Sequence, residues 1–407
     1  MIRRGLFYLK KKGERMEFIS SFLYLIILAN TIGAVITVFR EPREIAATWG
    51  WLIVLIMLPI IGFIIYFFFG RRIRKKRIFN MKSQETVGLQ ELVEQQQRDL
   101  ERTKEKIGAP KFQFKNEYQE DLASFFLETD DAIITENNEV TLYVSGEEKF
   151  AELKADIEQA KHHIHLQYYI FNDDTIGHEI MDLLIEKARE GIEVLVIYDA
   201  LGARKTRQGF WKKLHDAGGH TVAFFGYSLG FINWRINYRN HRKIVVIDGK
   251  IGYVGGFNIG DEYLGKGKLG YWRDTHLRIV GDAVYSLQSR FFIDWNAAVH
   301  EDKRREFIPE YFPVVESMGQ NTIQVVSTGP DASLQKIKLG LIKMISMAKK
   351  SVWIQTPYFI PDESVQEALS IAALSGVDVR IMIPSKPDHP IVYRATEFYA
   401  SQIIQSG

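Results

Sequence analysis

The chain has 407 residues, enough for two or three domains of ordinary size and a full enzyme core. Hydrophobic residues make up 46% and charged residues 25%, which excludes collagen-like, coiled-coil and wholly disordered proteins. The absence of cysteine excludes disulfides, thiolate nucleophiles, iron–sulfur clusters and cysteine zinc sites. The net charge of +2 is unevenly distributed, because residues 1–80 carry +10 and the remaining residues carry −8.

Two long uncharged stretches lie in the basic N-terminal part, at residues 18–39 and 45–70. Crossing the hydrocarbon core of a bilayer takes about 20 residues, so we interpret residues 1–80 as a membrane segment with two transmembrane helices. A cleaved signal peptide is the alternative, but it is a single short run followed by small residues at its cleavage site. Six Lys or Arg residues precede the first stretch, six follow the second, and the connecting loop has two. The positive-inside rule therefore predicts a multi-pass protein of the cell membrane with cytoplasmic N- and C-termini.

The part of the chain after the membrane segment is predicted to have three regions. Residues 81–135 are polar and are expected to form a solvated helical linker. Beyond residue 135, short apolar runs alternate with helical stretches, which is typical of α/β domains.

Part of this α/β pattern recurs at a constant offset of 188 residues. The matched positions are Ala160, Gln167, Phe171 and Asp174 with Ala348, Gln355, Phe359 and Asp362. The recurrence predicts two copies of one domain, at residues 136–318 and 319–407. Gly407 corresponds to Gly219 of the first copy, so the second copy is expected to be incomplete.

The most informative stretch follows Gly219 in the first copy and reads NHRKIVVIDGKIGYVGGFNIGDEY, residues 240–263. His241, Lys243 and Asp248 have the spacing H-x-K-x4-D, and Asn258 follows two glycines. Because side chains alternate along a strand, His241 and Lys243 should project to one face and Asp248 to the other. An imidazole can attack phosphorus while a lysine and an asparagine amide hold the non-bridging oxygens, so this spacing indicates phosphate-ester chemistry without a metal. A surface strand with an unrelated His and Lys is the alternative.

These residues resemble the HKD signature of the phospholipase D superfamily, and the surrounding sequence is similar to that of bacterial cardiolipin synthases. The likeness extends over nearly the whole chain, including GYWRDTHLR at 270–278 and IQTPYFIPD at 354–362. It implies α/β, phospholipase D-like mixed-sheet domains flanked by helices, in tandem repeat after a transmembrane hairpin. The implied reaction is phosphatidyl transfer between two phosphatidylglycerol molecules, giving cardiolipin and glycerol through a covalent phosphatidyl-histidine. No cofactor or metal is implied.

The resemblance also assigns roles to individual residues. His241 would be one of two motif histidines, of which one is the nucleophile and the other the general acid. The repeat offset places the second near position 429, beyond Gly407, so the present residues are expected to lack a complete active site. Asp248 belongs to the catalytic motif but is expected to act structurally, and Asp274 is the carboxylate expected to orient His241.

Several alternatives stay open at this stage. The superfamily contains nucleases, but the net charge of −8 outside the membrane segment argues against nucleic acid as a partner and favours anionic lipids bound by the basic segment. A catalytically incomplete membrane fragment is the other alternative function. His276 is either a third site residue or a packed histidine, and His163 with His165 is either a metal pair or part of the core.

The predicted topology can be tested independently of the chemistry. A reporter fused after Lys76 should behave as cytoplasmic and one inserted at Glu44 as external, because Lys and Arg flank the two stretches on their cytoplasmic sides. Alkaline phosphatase and green fluorescent protein fusions measure the two sides. The opposite pattern would contradict the orientation.

Overall fold

The structure is a computed structural model, and it describes most of the chain after the N-terminal segment. The described residues are 21, 24–25, 27–36, 38–39, 45–58, 61–70, 86–105, 111–112, 114–224, 239–316, 319–329, 332 and 334–407. Parts of the first predicted span and the basic clusters that precede and follow the two spans lie outside them. The chain divides into two compact units, one within Met1–Arg74 and the other within Lys75–Gly226 and Arg239–Gly407.

The first unit contains helix α1 (Ile45–Met57) and the short helix α2 (Ile61–Ile65), which continues into a π-helix at Tyr66–Gly70. The Tyr66 ring packs edge-on against Trp51, with 5.1 Å between ring centroids. Many of the other apolar side chains in this unit are exposed. Within the described parts of the chain, no helix combines the length and the apolar character needed to cross a membrane.

The region predicted to be a solvated linker forms two helices, α3 (Thr86–Lys104) and α4 (Glu117–Asp130). One face of α3 is buried, contrary to the expectation of a fully solvated helix. Val93 and Leu100 join a small core with Leu127, and Gln96 exchanges hydrogen bonds of 2.8 and 2.9 Å with the backbone of Ile134. The apolar residues of α3 are sparse but fall on one face at helical spacing, which is enough to bury that face.

The second unit is built around an eight-stranded mixed sheet, which agrees with the predicted mixed-sheet α/β fold. Its strand order is β4-β3-β2-β5-β6-β7-β1-β8, in which β2, β3 and β4 are parallel and the other neighbours are antiparallel. The strands are β1 (Thr135–Tyr143), β2 (His163–Tyr168), β3 (Glu193–Asp199), β4 (His220–Phe224), β5 (Ile244–Ile247), β6 (Ile251–Gly255), β7 (His276–Gly281) and β8 (Asn321–Ile323). Because β8 pairs with β1, this domain extends a few residues beyond the predicted boundary at 318.

Helices cover both faces of the sheet, so the central strands are apolar on both sides. Helices α5 (Gly146–Gln159), α6 (Thr175–Arg189) and α7 (Gln208–Asp216) pack on one face, and α8 (Ala283–Ala298) packs on the other. Strand β5 shows the result, because all four of its residues are buried. The core on the first face is the larger one and includes Leu153 and Leu166.

The rest of the second unit repeats the β2-α6-β3 arrangement. It consists of α9 (Lys336–Met347), β9 (Ser351–Gln355), α10 (Glu363–Leu374), β10 (Asp378–Met382) and α11 (Pro390–Ile403). Strands β9 and β10 pair in parallel, as β2 and β3 do. Asp174 and Asp362, which match at the offset of 188, both cap the N-terminus of the following helix by accepting a backbone N–H.

The main core can be tested at Leu153, which is completely buried on α5. Leu153→Ala should lower the free energy of unfolding by about 2–5 kcal/mol, because it leaves a cavity against the sheet. Leu142→Ala is the matched control, since Leu142 is 59% exposed on β1. Urea titration of the detergent-solubilised protein measures both, and equal losses would contradict the assigned core.

Candidate active site

The antiparallel pairing of β5 with β2 determines where the motif histidine lies. The register aligns Gln167 with Ile244, so continuing it places His241 beyond the carboxyl end of β2. Strands β2 and β3 are parallel, and their carboxyl ends therefore meet the start of β5 at one edge of the sheet. This edge brings together His241, Tyr169 and the end of β3 at Asp199.

His241 lies exposed at this edge, with its ring centroid 4.8 Å from that of Tyr169. Partial desolvation by the surrounding protein lowers the pKa of His241 to about 4, assisted by the charge of Lys243 and opposed by that of Asp199. The imidazole is therefore uncharged at neutral pH. An uncharged imidazole has the lone pair that a nucleophile needs.

Lys243 projects to the same face as His241, as strand alternation predicts, but it is only 4% exposed. Its Nζ donates to His241 Nδ1 at 2.9 Å and to the His241 carbonyl oxygen at 2.7 Å. Burial lowers the pKa of Lys243 to about 7, against the opposing effect of the Asp274 charge. The pair therefore combines an uncharged imidazole with an amine that gains a proton close to neutral pH.

Two buried carboxylates hold the backbone on both sides of His241. Asp199 accepts the backbone N–H of Asn240 at 3.0 Å. Asp294 of α8 accepts the Asn240 side-chain amide at 3.0 Å and the Arg242 guanidinium at 3.0 Å. Both carboxylates are fully buried, so they restrain the residues before and after His241 without solvent access.

Among the described residues, Asp294 accepts its hydrogen bonds from side chains alone. It also accepts Gln167 Nε2 at 2.6 Å and Arg290 Nη2 at 2.6 Å. Burial by itself would raise the pKa of Asp294, but the charges of Arg290 and Arg242 and the Gln167 hydrogen bond hold the pKa below its ordinary value. Arg242 in turn donates to the Thr328 carbonyl oxygen at 2.9 Å, which connects this network to the segment leading to α9.

Asn258, the predicted phosphate-binding amide, is buried near the end of β2. Its Oδ1 accepts the Ile170 N–H at 3.1 Å, and its Nδ2 donates to the Tyr263 hydroxyl at 2.7 Å. Since the amide nitrogen carries two hydrogens, one remains without a partner among the described residues. Asn258 therefore stabilises the segment that follows β2, and one N–H of its side-chain amide is available to a ligand.

Asp248 lies at the opposite end of β5 from His241, in the turn before β6. Its carboxylate accepts the backbone N–H groups of Lys161, His162 and His163 at 2.8 to 3.0 Å. The length of the strand separates Asp248 from His241 and Lys243, so the structure does not bring this member of the predicted catalytic motif to the site. These hydrogen bonds fit the structural role expected from strand parity.

Asp274 lies above Gly256, where a Cβ added to the glycine would be 1.9 Å from the Asp274 carboxylate. The carboxylate accepts the Thr275 N–H at 2.7 Å, and its charge favours the charged form of Lys243. The charge that favours protonated His241 comes instead from Asp199. No hydrogen bond joins Asp274 to His241 among the described residues, so its role in orienting the histidine stays a prediction.

Sequence reasoning missed Asp199 and Asp294. Asp199 ends the apolar run IEVLVIYD, and a carboxylate at the end of a buried parallel strand is a usable signal for a site. Nothing in the local sequence distinguishes Asp294 from a surface residue of α8. Its role depends on the packing of α8 against β2 and β5.

His163 and His165 belong to the core on the α8 face. Both contact Gln288, at 3.2 and 2.9 Å, and His165 also contacts Glu193 at 3.2 Å. No group of three or more metal-ligating side chains occurs in the part of the chain that the structure describes. Packing and these hydrogen bonds account for the two residues.

The carboxylate network can be tested by Asp294→Asn, which keeps the shape and removes the charge. Leaving the arginine charges partly buried without their partner should lower the free energy of unfolding by about 3–5 kcal/mol. Asp302→Asn is the control, because Asp302 is 68% exposed and should change stability by less than about 0.5 kcal/mol. Thermal and urea unfolding measure both, and a neutral effect of Asp294→Asn would show that the network contributes little.

Comparisons with known proteins identify the family of the chain. Residues 153–268 and 341–407 match the family "Cardiolipin synthase, PLD-like domain", and residues 30–71 match "Phospholipase_D-nuclease N-terminal". The chain is 50% identical to a cardiolipin synthase of Listeria welshimeri and 48% identical to the major cardiolipin synthase of Bacillus subtilis, in each case over 96% of this chain and 80% of the relative. A phosphatidylserine synthase structure from Haemophilus influenzae aligns over 65% of this chain and 68% of its own, with 17% identity and a TM-score of 0.46. The chain therefore belongs to the bacterial cardiolipin synthases, phosphatidyltransferases of the phospholipase D superfamily.

Proposed function

We propose that this chain transfers a phosphatidyl group from one phosphatidylglycerol molecule to another, with His241 as the nucleophile of the first half-reaction. The observation that carries the proposal is the His241–Lys243 pair, in which an uncharged imidazole contacts a nearly buried amine at 2.9 Å. A nucleophile beside a phosphate-binding cation is the arrangement that phosphoryl transfer needs. The relatives named cardiolipin synthase support phosphatidylglycerol as the substrate.

In the first step, an imidazole nitrogen of His241 attacks phosphorus, and the bond from phosphorus to the oxygen of the headgroup glycerol breaks. The glycerol oxygen takes a proton from a general acid, and the phosphatidyl group stays on the imidazole. In the second step, a hydroxyl of another phosphatidylglycerol attacks the same phosphorus, passes its proton to the group that acted as general acid in the first step, and displaces the imidazole. The products are cardiolipin and glycerol, and no metal takes part in either step.

The phosphate would also change the partners of Lys243. In the described geometry Lys243 donates to His241 Nδ1, which places the proton of the uncharged ring on Nε2. A bound phosphate oxygen is a stronger acceptor than the imidazole, so Lys243 would turn to it and release the ring nitrogen. Asn258 would supply a second donor to the phosphate, and Asp274 would stabilise the charged lysine.

The proposal takes the general acid to be a second motif histidine, which the resemblance to the phospholipase D superfamily implies. It also places residues 1–80 as a two-span hairpin, with both termini and the soluble part at the cytoplasmic face of the membrane. There the basic segment would contact anionic lipid and the site would meet phosphatidylglycerol headgroups. The net charge of −8 outside residues 1–80 supports lipid rather than nucleic acid as the substrate.

The covalent intermediate provides the sharpest test of this proposal. The full-length protein mixed with phosphatidylglycerol labelled with ³²P in its phosphate should form an acid-labile adduct that peptide mapping places on His241. His241→Ala should form no adduct, and Lys243→Ala should form it about 10²–10³-fold more slowly, because a preorganised donor to the phosphate is lost.

His300→Ala is the matched control, because His300 is 86% exposed and lies after α8, just before a short 3-10 helix. It should form the adduct at the unsubstituted rate. Adduct formation by His241→Ala would contradict the nucleophilic role and would assign His241 to the acid step instead.

A further inference from the structure

His276 is the first residue of β7 and is completely buried. Neither of its ring nitrogens has a hydrogen-bond partner among the described residues. Buried polar groups are nearly always paired in native proteins, so an unpaired ring at this depth needs an explanation. The position of His276 in the sheet supplies one.

The sheet register places His276 beside Lys243 across a single glycine. Gly255 pairs directly with His276 in the β6–β7 ladder. The β5–β6 ladder aligns Ile244 with Val254, and one residue further it aligns Lys243 with Gly255. Directly opposite residues project from the same face of a sheet, so His276 and Lys243 share a face with no side chain between them.

The glycine also explains the direction of the ring. A Cβ added to Gly255 would lie 2.6 Å from His276 Cγ and 2.5 Å from its Cα. The ring therefore occupies the space that any side chain at position 255 would fill. This brings the imidazole towards the strand that carries Lys243.

The surroundings keep His276 uncharged. Burial together with the charges of Lys149 and Lys243 holds its pKa well below the ordinary value. Lys149 of α5 is itself completely buried and donates to the Tyr168 hydroxyl at 3.0 Å. Among the described residues, the titratable groups near His276 include Lys149 on α5 with its partner Tyr168 on β2, Lys243 just before β5, Tyr253 on β6, Asp274 before β7 and Tyr143 on β1.

An uncharged imidazole always has one nitrogen that can accept a hydrogen bond. In the described geometry the hydrogen-bond contacts of Lys243 Nζ all go to His241, at Nδ1, Nε2 and the carbonyl oxygen. We propose that Lys243, once protonated, exchanges its contact with the His241 ring for one with the uncharged ring of His276, a positioning residue that keeps the charged lysine directed at the substrate phosphate. This inference rests on the phosphate-binding role of Lys243 proposed above.

The proposal has a consequence that a purely structural role lacks. An acceptor that bonds only to the charged form of Lys243 raises the pKa of that lysine. Removing the acceptor should lower the pKa of Lys243 by about one unit. As the pH rises, activity should then begin to decline about one pH unit earlier. The loss would be about twofold at pH 6 and about tenfold at pH 8 for a group that titrates near 7. A packing defect would reduce activity by a similar factor at every pH.

The experiment compares two substitutions at His276 in the full-length protein. His276→Phe keeps the ring and removes the acceptor, whereas His276→Gln keeps an acceptor in a smaller side chain. The pKa of Lys243 is read from the pH dependence of its acetylation by acetic anhydride, followed by mass spectrometry. Adduct formation from labelled phosphatidylglycerol is followed over the same pH range.

Tyr143→Phe is the matched control, because Tyr143 pairs with His276 on the side away from Lys243. We expect His276→Phe to shift both profiles to lower pH by about one unit, and His276→Gln and Tyr143→Phe to leave them close to the unsubstituted profile. An unshifted acetylation profile in His276→Phe would overturn the proposal, as would the same shift in His276→Gln. Acetylation reports on Lys243 even without phosphatidyl transfer, so failure of this inference is distinguishable from failure of the proposed function.

A measurement on the unsubstituted protein covers the case in which His276→Phe does not fold. Selective ¹⁵N labelling of the histidines should show His276 as an uncharged ring between pH 5 and 9, with one nitrogen in the chemical-shift range of a hydrogen-bonded acceptor at pH 5, where Lys243 is charged, and outside it at pH 9. Protonation of His276 within that range, or an acceptor nitrogen with the shift of an unbonded one at pH 5, would overturn the proposal.

Discussion

The site depends on one pairing, the insertion of β5 antiparallel to β2 in the middle of the large sheet. Because β2 and β3 run parallel to each other, their carboxyl ends lie at the edge where β5 begins. His241 and Lys243 precede β5 and therefore meet Tyr169 and Asp199 there. The same pairing carries Asp248 to the opposite edge, where it binds three backbone N–H groups.

Because side chains alternate along β5 and the residues just before it, the groups of the site lie on both faces of the sheet. Lys243 lies on the face covered by α5, α6 and α7, which it shares with His276. Asn240 and Arg242 interact with the face covered by α8, where Asp294 accepts hydrogen bonds from both. His241 and Lys243 thus project from one face of the sheet, while Asp294 restrains the residues on either side of His241 from the other face. A carboxylate on the same face as His241 and Lys243 would have to share space with the lipid substrate.

The parallel βαβ arrangement occurs twice in the second unit, and the local geometry recurs with it. Gly191 and Gly376 each follow the helix of the unit, and both have φ of +88°, a conformation that favours glycine. Where β2 and β3 are almost entirely buried, β9 and β10 alternate between half-buried and exposed residues. Gln355 at the end of β9 accepts a hydrogen bond of 2.6 Å from Arg273, which joins the repeated unit to the strand segment that carries Asp274.

Much of the protein could be predicted from the sequence, because the signals are local. Strand alternation predicted that His241 and Lys243 share a face and that Asp248 does not, and the motif with its surrounding sequence indicated the family that the comparisons confirm. The repeat offset predicted a second β-α-β pattern, since capping Asp and turn Gly residues recur at matching positions. The burial of one face of α3 was missed, because its apolar residues are too sparse to stand out without the partner helix α4.

The rest of the site was decided by tertiary structure, because it depends on contacts between residues far apart in the sequence. Asp294 lies 52 residues from Arg242 and becomes part of the site only when α8 packs on the sheet. Asp274 favours the charged form of Lys243, an effect that depends on how the segment before β7 lies against the sheet. The burial that lowers the pKa of Lys243 and leaves His276 without a partner also comes from packing. The sequence by itself determined which groups can do the chemistry, and the order and register of the strands decided which of them meet.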